Sequence, residues 1–217
     1  MKHGNKVEII PALLVRSRAE LEQGLLRLRG VTSWVQVDLV GDNYLEKEEY
    51  FPLWEEFSFE ADLMLANQAK AAEAMVALGA ARVVVHAAGE GARAALEALQ
   101  QYRAGDFAVE AGIALRSHDA PEALQEFEGL YDYVQVMGID HEGRQGEPPD
   151  PHGKTIELIK ALRSPYPALI IQVDGGVSVE NARTLAEAGA NRLIAGSAIL
   201  AQDDPKAAYK HLLGRVN

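Results

Sequence analysis

The sequence predicts an α/β protein in which eight parallel strands close into a barrel surrounded by helices. Short apolar segments alternate with helical segments eight times along the 217 residues, as expected for repeated strand–helix units. The strands are nearly continuous apolar runs, which is typical of a parallel sheet that is covered on both faces. Eight such units in a chain of this length favour a closed barrel, and an open doubly wound sheet is the main alternative.

Eight segments have the composition of buried strands, because apolar residues follow one another in each of them without a helical period. The segment WVQVDLV, which begins at Trp34, is a representative example. The predicted strands cover 7–14, 34–40, 59–66, 82–88, 107–115, 132–139, 168–176 and 191–200. In a parallel barrel their carboxyl ends meet at one mouth, where such folds carry their active sites.

A helical segment follows each predicted strand. The predicted helices cover 19–29, 45–57, 68–78, 91–102, 119–127, 154–162, 179–188 and 206–213. The fifth of them has a good start signal, since Asp119 can cap it, Pro121 suits its first turn and Glu122 lies three residues beyond the cap. The longest stretch without periodicity, 140–153, is a loop of the kind that commonly forms a lid.

Composition limits the classes of function. Hydrophobic residues make up 48% of the chain and charged residues 24%, with no linker or low-complexity segment, so we expect a single globular domain over 1–217. The formal net charge of −11 argues against a nucleic-acid partner, because phosphate contacts need clustered Lys and Arg. No apolar run approaches the ~20 residues of a membrane span, and no signal peptide is visible. With cysteine absent, these features predict a cytoplasmic protein without membrane contact.

Two glycine turns lie in the last two predicted strand–helix units. Gly175 and Gly176 end the seventh strand, and Gly196 and Ser197 lie in the eighth unit. Glycine lets backbone N–H groups approach an anion without a Cβ in the way, and barrels often bind phosphate after strands seven and eight. A helix predicted over 179–188 adds its amino terminus. A phosphate site is therefore predicted here, although tight turns alone would also use these glycines.

A set of acids is predicted at the same mouth. Asp174 ends the seventh strand, Asp38 lies near the end of the second, and Asp62 lies in the third. Gln36 shares a strand face with Asp38, because the two are two residues apart. Three acids this close would repel each other unless a cation, a proton or an arginine separates them.

These segments together resemble the ribulose-phosphate 3-epimerases over nearly the whole chain. The resemblance is carried by the order and spacing of EIIPALL, VQVDLV, EADLML, VVVHAAGE, AGIAL, DYVQVMGI, GRQGEPP, VDGGV and AGSAIL. It implies a parallel TIM barrel of the ribulose-phosphate-binding type. It also implies epimerisation of a phosphorylated ketopentose at carbon 3, in which two aspartates move the proton and a divalent metal steadies the enediolate.

The resemblance assigns roles to residues of this chain. The two acid–base aspartates match Asp38 and Asp174, and the methionines that pack against the reacting centre match Met64 and Met137. The phosphate contacts match Gly143, Gly146, Gly175, Gly176, Gly196 and Ser197. The implied substrate and partner is a small phosphorylated sugar, and we expect a homo-oligomer.

The chain departs from the family pattern where the metal would bind. The histidines expected in the second and third strands are Gln36 and Asp62, a serine of the first strand is Ala12, and a third methionine is Val40. What remains is an all-oxygen set of possible ligands, namely Gln36, Asp38, Asp62 and Asp174. Oxygen ligands suit Mg²⁺ or Mn²⁺ before Zn²⁺. The alternative is that no metal binds and that the cluster is a remnant serving another purpose.

Two further residues could contact substrate. His86 ends the fourth strand and could face the mouth, although a structural histidine is the alternative. Arg144 could reach a phosphate or carboxylate, or lie in solvent. The leading function is a sugar-phosphate epimerase or isomerase. The alternatives are a non-catalytic or repurposed barrel that binds a phosphorylated ligand, and another lyase or isomerase on the same fold.

Overall fold

The computed structural model describes residues 6–41, 48, 50–139, 148–150 and 152–217. Eight parallel strands pair in chain order, and the last pairs with the first, so the sheet closes into a barrel. The strands are β1 (Glu8–Leu14), β2 (Trp34–Val40), β3 (Ser58–Met64), β4 (Arg82–His86), β5 (Glu110–Leu115), β6 (Tyr133–Met137), β7 (Ile170–Asp174) and β8 (Arg192–Ala195). The predicted closed barrel is confirmed, and the open-sheet alternative is excluded.

Seven α-helices are described around the barrel. They are α1 (Arg18–Leu28), α2 (Gln68–Ala77), α3 (Ala92–Leu99), α4 (Lys154–Arg163), α5 (Ala182–Ala188), α6 (Ser197–Leu200) and α7 (Pro205–Val216). Two 3-10 segments, Gln100–Tyr102 and Pro121–Phe127, complete the described helical structure. Across the described ranges, none of these helices combines the length and apolar character needed to cross a membrane.

Helix α1 shows why these segments fold as they do. Ser17 caps the helix by accepting a hydrogen bond from the backbone of Glu20, which satisfies one of the free amides of the first turn. Leu21, Leu25 and Leu28 recur on one helix face and are completely buried against the sheet. Local residues thus determine both where α1 begins and which side it turns to the barrel.

Two predicted helices and the end of one predicted strand need correction. The predicted helix 119–127 is a 3-10 segment, and Asp119 does not cap it, because its carboxylate accepts hydrogen bonds from the backbone and guanidinium of Arg116 instead. Of the predicted helix 45–57, residues 52–56 form turns, and most of its first half lies outside the described residues. Residues 197–200, predicted as the end of a strand, form α6.

Side chains of each strand divide between two environments. In β2, Val35, Val37 and Leu39 belong to the large apolar core between the sheet and the helices. The alternate residues Gln36 and Asp38 point into the barrel, where they meet side chains from strands on the opposite side. The barrel interior is therefore polar at its centre and mouth, whereas the apolar core lies outside the sheet.

The amino-terminal end of the barrel carries a second cluster of charges. Arg192 lies 2.9 Å from the carboxylate of Glu110 and 3.3 Å from that of Glu8. Arg82 lies 3.3 Å from Glu110 and stacks over Trp34 at 3.9 Å. Both arginines are buried, while the two glutamates are about half exposed. This cluster joins four strands at the end of the barrel remote from the acids.

Candidate active site

Three buried aspartates meet at the carboxyl-terminal mouth of the barrel. Asp38 lies in β2 beside Asp62 of β3, and Asp174 is the last residue of β7. One possible ligand atom from each carboxylate lies within 4.8 Å of the others. The structure thus brings together the three acids that the sequence singled out, and this trio could hold a metal ion.

Gln36 links the three acids through its amide nitrogen. Its Nε2 donates hydrogen bonds of 2.9 Å to Asp38 and 2.9 Å to Asp174, and lies 3.5 Å from Asp62. Its Oε1 is turned away and accepts from Gln172 at 3.3 Å. In this orientation Gln36 presents N–H groups to the acids rather than the neutral oxygen expected from the sequence, and an amide nitrogen has no lone pair to give. The possible ligands are the three carboxylates.

Asp62 is held by two further donors. The ring nitrogen Nε2 of His86 lies 2.6 Å from one of its oxygens, and Nε2 of Gln135 donates to the other at 2.8 Å. The backbone of His86 is itself fixed by Gln68, whose side chain binds both its N–H and its C=O. Asp62 therefore anchors the acid trio to β4 and β6.

The two outer acids have raised pKa values. Burial, followed by the charge of Asp62, raises the pKa of Asp38 to about 7, although the hydrogen bond from Gln36 opposes this. Burial, followed by the charges of Asp38 and Asp62, raises the pKa of Asp174 well above its ordinary value. Carboxylates this close cannot all ionise without a compensating charge, so Asp38 and Asp174 titrate as a linked pair. Near neutral pH one of them can carry a proton while the other is a base.

A cavity of roughly 320 Å³ opens above the acids, which is within the usual range for a small ligand. Asp38 and Asp174 both line it, together with Met64 and Met137. Its remaining walls come mostly from the turns after β7 and β8 and include Gly175, Gly176, Val177, Ser178, Gly196, Ser197, Ala198 and Gln202. The predicted acid–base pair, methionines and glycine turns therefore surround one space.

The turn after β7 requires glycine twice. Gly175 has φ 96° and Gly176 has φ 65°, which are left-handed values that other residues rarely adopt. A Cβ on Gly176 would lie 2.6 Å from Cα of Pro149, and one on Gly175 would lie 2.7 Å from the side chain of Ile139. Asn181 secures the turn by donating to the carbonyl of Gly176 at 2.8 Å. Gly175 and Gly176 both line the cavity, so the backbone of this turn faces it without side chains in between.

The helices beside the two turns differ from expectation. Helix α5 begins at Ala182 rather than at Val179, so it does not follow Gly176 directly. After β8, by contrast, Gly196 is the N-cap of α6 and Ser197 is its first residue. A helix start therefore lies against the cavity at the second turn and not at the first.

Three of the predicted ligand contacts, Gly143, Arg144 and Gly146, lie outside the described residues. His86 lines a neighbouring cavity of roughly 410 Å³ rather than the acid-lined one. Met64 lines both cavities, so the two adjoin. The structure thus places His86 beside the acids through its contact with Asp62.

Sequence reasoning missed the side chains that lie beneath the acids. Glu60, Gln135 and Gln172 are all completely buried in the barrel interior and hydrogen-bonded to one another or to the acids. The signal was present, because each lies two residues before a predicted site residue on the same strand face. The argument that paired Gln36 with Asp38 applies equally to these three.

Comparison with known proteins identifies the family. The family model described as "Ribulose-phosphate 3 epimerase family" matches residues 15–200. The chain belongs to this family. Among its relatives, the ribulose-phosphate 3-epimerase of Schizosaccharomyces pombe is 26% identical over 93% of this chain and 90% of its own length. That of Chlamydia muridarum is 33% identical over 71% of this chain and 67% of its own length. A relative in Oryza sativa subsp. japonica, 36% identical over 43% of this chain and 41% of its own length, is named a cytoplasmic isoform.

Solved structures share the fold of this epimerase-family chain at low identity. A structure of KGPDC from Streptococcus mutans superposes with a TM-score of 0.73 and 16% identity, over 97% of both chains. The 3-hexulose-6-phosphate synthase from Salmonella typhimurium gives 0.72 and 16% identity, over 97% of this chain and 98% of that one. At such identities the likeness shows the barrel fold alone.

The family is typically metal-dependent, and the acid trio fits such an ion in ligand chemistry. Three carboxylates are hard oxygen ligands, which Mg²⁺ and Mn²⁺ accept more readily than Zn²⁺ does. The fit is limited to Asp38, Asp62 and Asp174, since Gln36 turns N–H groups towards them.

Proposed function

We propose that the protein is an epimerase or isomerase of phosphorylated ketoses, acting on a ketopentose phosphate by proton transfer through an enediolate. The observation that carries the proposal is the pair of buried acids, Asp38 and Asp174, from two separate strands that line one cavity with two glycine turns. Family membership supports the same reaction class. Proton abstraction beside a ketone needs a base, an acid and a means of stabilising the enediolate.

Asp38 and Asp174 would supply the acid and the base. Because their pKa values are raised and their titrations are linked, one carboxyl can hold a proton at neutral pH while the other accepts one. Removal of the proton from carbon 3 by one residue and return of a proton by the other, on the opposite face, inverts that centre. The methionines Met64 and Met137 would pack against the carbon skeleton and keep water away from it.

A divalent ion, if bound, would be held by Asp38, Asp62 and Asp174 and would supply positive charge beside the enediolate. Mg²⁺ or Mn²⁺ is the proposed ion. The phosphate of the ketose would lie against the backbone of Gly175 and Gly176, with Gly196 and Ser197 on its other side.

One observation favours a second candidate. The N–H groups of Gln36 already donate to Asp38 and Asp174, two of the carboxylates that would otherwise be free to bind a cation. A barrel that binds a phosphorylated ligand without turning it over, or a different lyase or isomerase, would tolerate this arrangement. The two classes differ in whether hydrogen at carbon 3 exchanges with solvent.

The deciding experiment is exchange in D₂O followed by proton NMR. Incubation with D-ribulose 5-phosphate, with and without added Mn²⁺, should incorporate deuterium at carbon 3 and form the 3-epimer. Asp38→Asn and Asp174→Asn should each reduce the rate by about 10²- to 10⁴-fold, the usual contribution of one acid–base group. Asp203→Asn, an exposed acid outside the cavity, is the matched control and should retain the wild-type rate. No exchange with any ketose phosphate would rule out the epimerase in favour of the binding barrel.

We further propose that the protein works in the cytoplasm as a homo-oligomer. The named compartment of the rice relative and the absence of cysteine support the first part. Light scattering on the purified protein measures the second directly.

A further inference from the structure

A network of buried amides lies directly beneath the acid trio. It consists of Gln36, Gln135 and Gln172, together with Glu60, and all four side chains have no exposed surface. They come from β2, β6, β7 and β3, so their contacts cross the barrel rather than follow one strand. The network connects the middle of the barrel to the candidate active site.

Glu60 determines which end of each amide in the network points towards the acids. One oxygen of Glu60 accepts the hydroxyl hydrogen of Tyr133 at 2.7 Å, and the other accepts from Nε2 of Gln172 at 2.5 Å. An ionised carboxylate can only accept, which matches the nitrogen that Gln172 presents to Glu60. The orientation of the Gln172 amide is therefore set by the residue below it.

Gln172 in turn sets the orientation of the amides of Gln36 and Gln135. Its Nε2 also lies 2.7 Å from Oε1 of Gln135 and 3.3 Å from Oε1 of Gln36. An amide that turns its oxygen to Gln172 must turn its nitrogen the opposite way. Gln135 accordingly donates to Asp62 at 2.8 Å, and Gln36 donates to the two outer acids.

The arrangement leaves Gln172 incompletely bonded. Its Oε1 is buried and has no hydrogen-bond partner among the described residues. An amide oriented by its own hydrogen-bonding needs would satisfy both ends. The unpartnered oxygen indicates that the acceptors around Nε2 decide the orientation of Gln172.

We infer that Glu60 and Gln172 are positioning residues that set how strongly the acid trio binds a divalent ion. They hold the amides of Gln36 and Gln135 with their N–H groups towards the carboxylates, and these hydrogens compensate part of the negative charge that would attract a cation. Reversing the amides would put oxygen atoms in the same places and add to that charge. The inference deepens the proposed metal site, and it does not depend on which ketose the site serves.

The test is a double substitution that reverses the network without changing total charge or size. In Glu60→Gln, Gln172→Glu the acceptor-only residue moves to position 172, where it competes with the acids for the N–H groups of Gln36 and Gln135 and leaves their oxygens free to turn to a bound ion. Isothermal titration with Mn²⁺ alone should show binding at least about tenfold tighter in this variant than in the wild type, because affinity follows ligand charge and number.

The double variant also moves a carboxylate closer to the acids, and Gln172→Met tests the orientation of the amides without that change. It also replaces the double variant if that variant does not fold. Gln172→Met removes the donor to the oxygens of Gln36 and Gln135 without adding a charge. The amides are then free to turn an oxygen to a bound ion, so Mn²⁺ should bind several-fold tighter than to the wild type. Gln100→Met is the matched control, because Gln100 is another glutamine whose nitrogen bonds two carbonyls, those of Leu96 and Leu130, outside the barrel interior. It should leave Mn²⁺ affinity unchanged.

Equal Mn²⁺ affinity in the wild type and in Gln172→Met, including no binding by either, would overturn the inference even if the double variant binds more tightly, because the moved carboxylate alone explains that result. The deuterium-exchange assay is a separate measurement. A failure of the proposed epimerase activity is therefore distinguishable from a failure of the positioning role.

Discussion

At the scale of single residues, the three acids divide into one anchored carboxylate and two that face the cavity. Asp62 accepts hydrogen bonds at both oxygens, from His86 and from Gln135. Asp38 and Asp174 share the single donor group of Gln36 and line the cavity. Burial and the neighbouring carboxylates raise the pKa values of Asp38 and Asp174, so one of the two keeps a proton near neutral pH, which is what a proton-transfer site requires.

The pH dependence of turnover should report this pair. The profile should be measured on chelator-treated protein, because a bound divalent ion would lower these pKa values. A base must be deprotonated, so kcat/KM should rise as the pH passes through about 7, the value to which burial raises the pKa of Asp38. The partner acid must keep its proton, and the pKa of Asp174 is raised well above its usual range, so the rate should fall again at higher pH. The expected profile is a bell whose acid limb lies near pH 7. An acid limb at about pH 4, the range of an ordinary carboxylate, would contradict a buried, linked pair.

The residues facing the barrel interior were only partly predictable. Alternation along β2 correctly placed Gln36 beside Asp38 on one face. The direction of the Gln36 amide was not predictable, because it is set through Gln172 by Glu60, which lies across the barrel on another strand. Such contacts depend on strand register, which apolar patterning alone does not give.

At the scale of elements, strands were easier to place than helix starts. The strands are recognisable because their apolar runs are continuous, and β2 begins at the predicted residue. The start of the 119–127 segment failed because Asp119 has a nearer partner in Arg116 than the amides of a following helix. A capping signal shows that a side chain can cap, whereas tertiary and local competitors decide whether it does.

The turn between β7 and α5 forms one side of the proposed phosphate site, and its role in binding can be tested by substitution. Gly176→Asp should abolish binding of inorganic phosphate, because the new side chain would collide with Pro149 and place negative charge against the proposed anion site. Gly129→Asp is the matched control, since Gly129 also has a left-handed φ, of 80°, but open space around it. Both variants place an aspartate at a left-handed φ, and only the first should lose phosphate binding measured by calorimetry. Equal phosphate affinity in the two would place the anion elsewhere.

At the scale of the whole molecule, the barrel interior is layered by charge. Acids lie at the carboxyl-terminal mouth, amides lie in the middle, and Arg82 and Arg192 lie at the opposite end with Glu8 and Glu110. The closed barrel itself was predictable from the eight alternations of strand and helix, because pairing of the strand backbones and covering of the sheet by apolar helix faces depend on that pattern alone. The layered interior was not, since each polar side chain is stabilised by partners from strands far apart in the sequence.

The layer at the amino-terminal end should contribute measurably to stability. Arg192 is buried and pairs with Glu8 and Glu110 of two other strands. Burial raises the pKa of Glu60 in the interior, and the charge of Arg192 opposes part of that rise. Arg192→Met removes one of the two buried cations at these acids and leaves Arg82 3.3 Å from Glu110 and 3.6 Å from Glu8. Because both glutamates are about half exposed, the loss should be roughly 1.5 kcal/mol, the lower range for a hydrogen bond to a charged group. Urea unfolding should show that loss in the free energy of unfolding.

Arg29→Met removes an arginine from an exposed pair with Glu56 and should change stability little, because solvent screens such pairs. If the two variants lose the same small amount, the buried cluster does not hold the strands together, and closure of the barrel rests on backbone pairing and the outer apolar core alone.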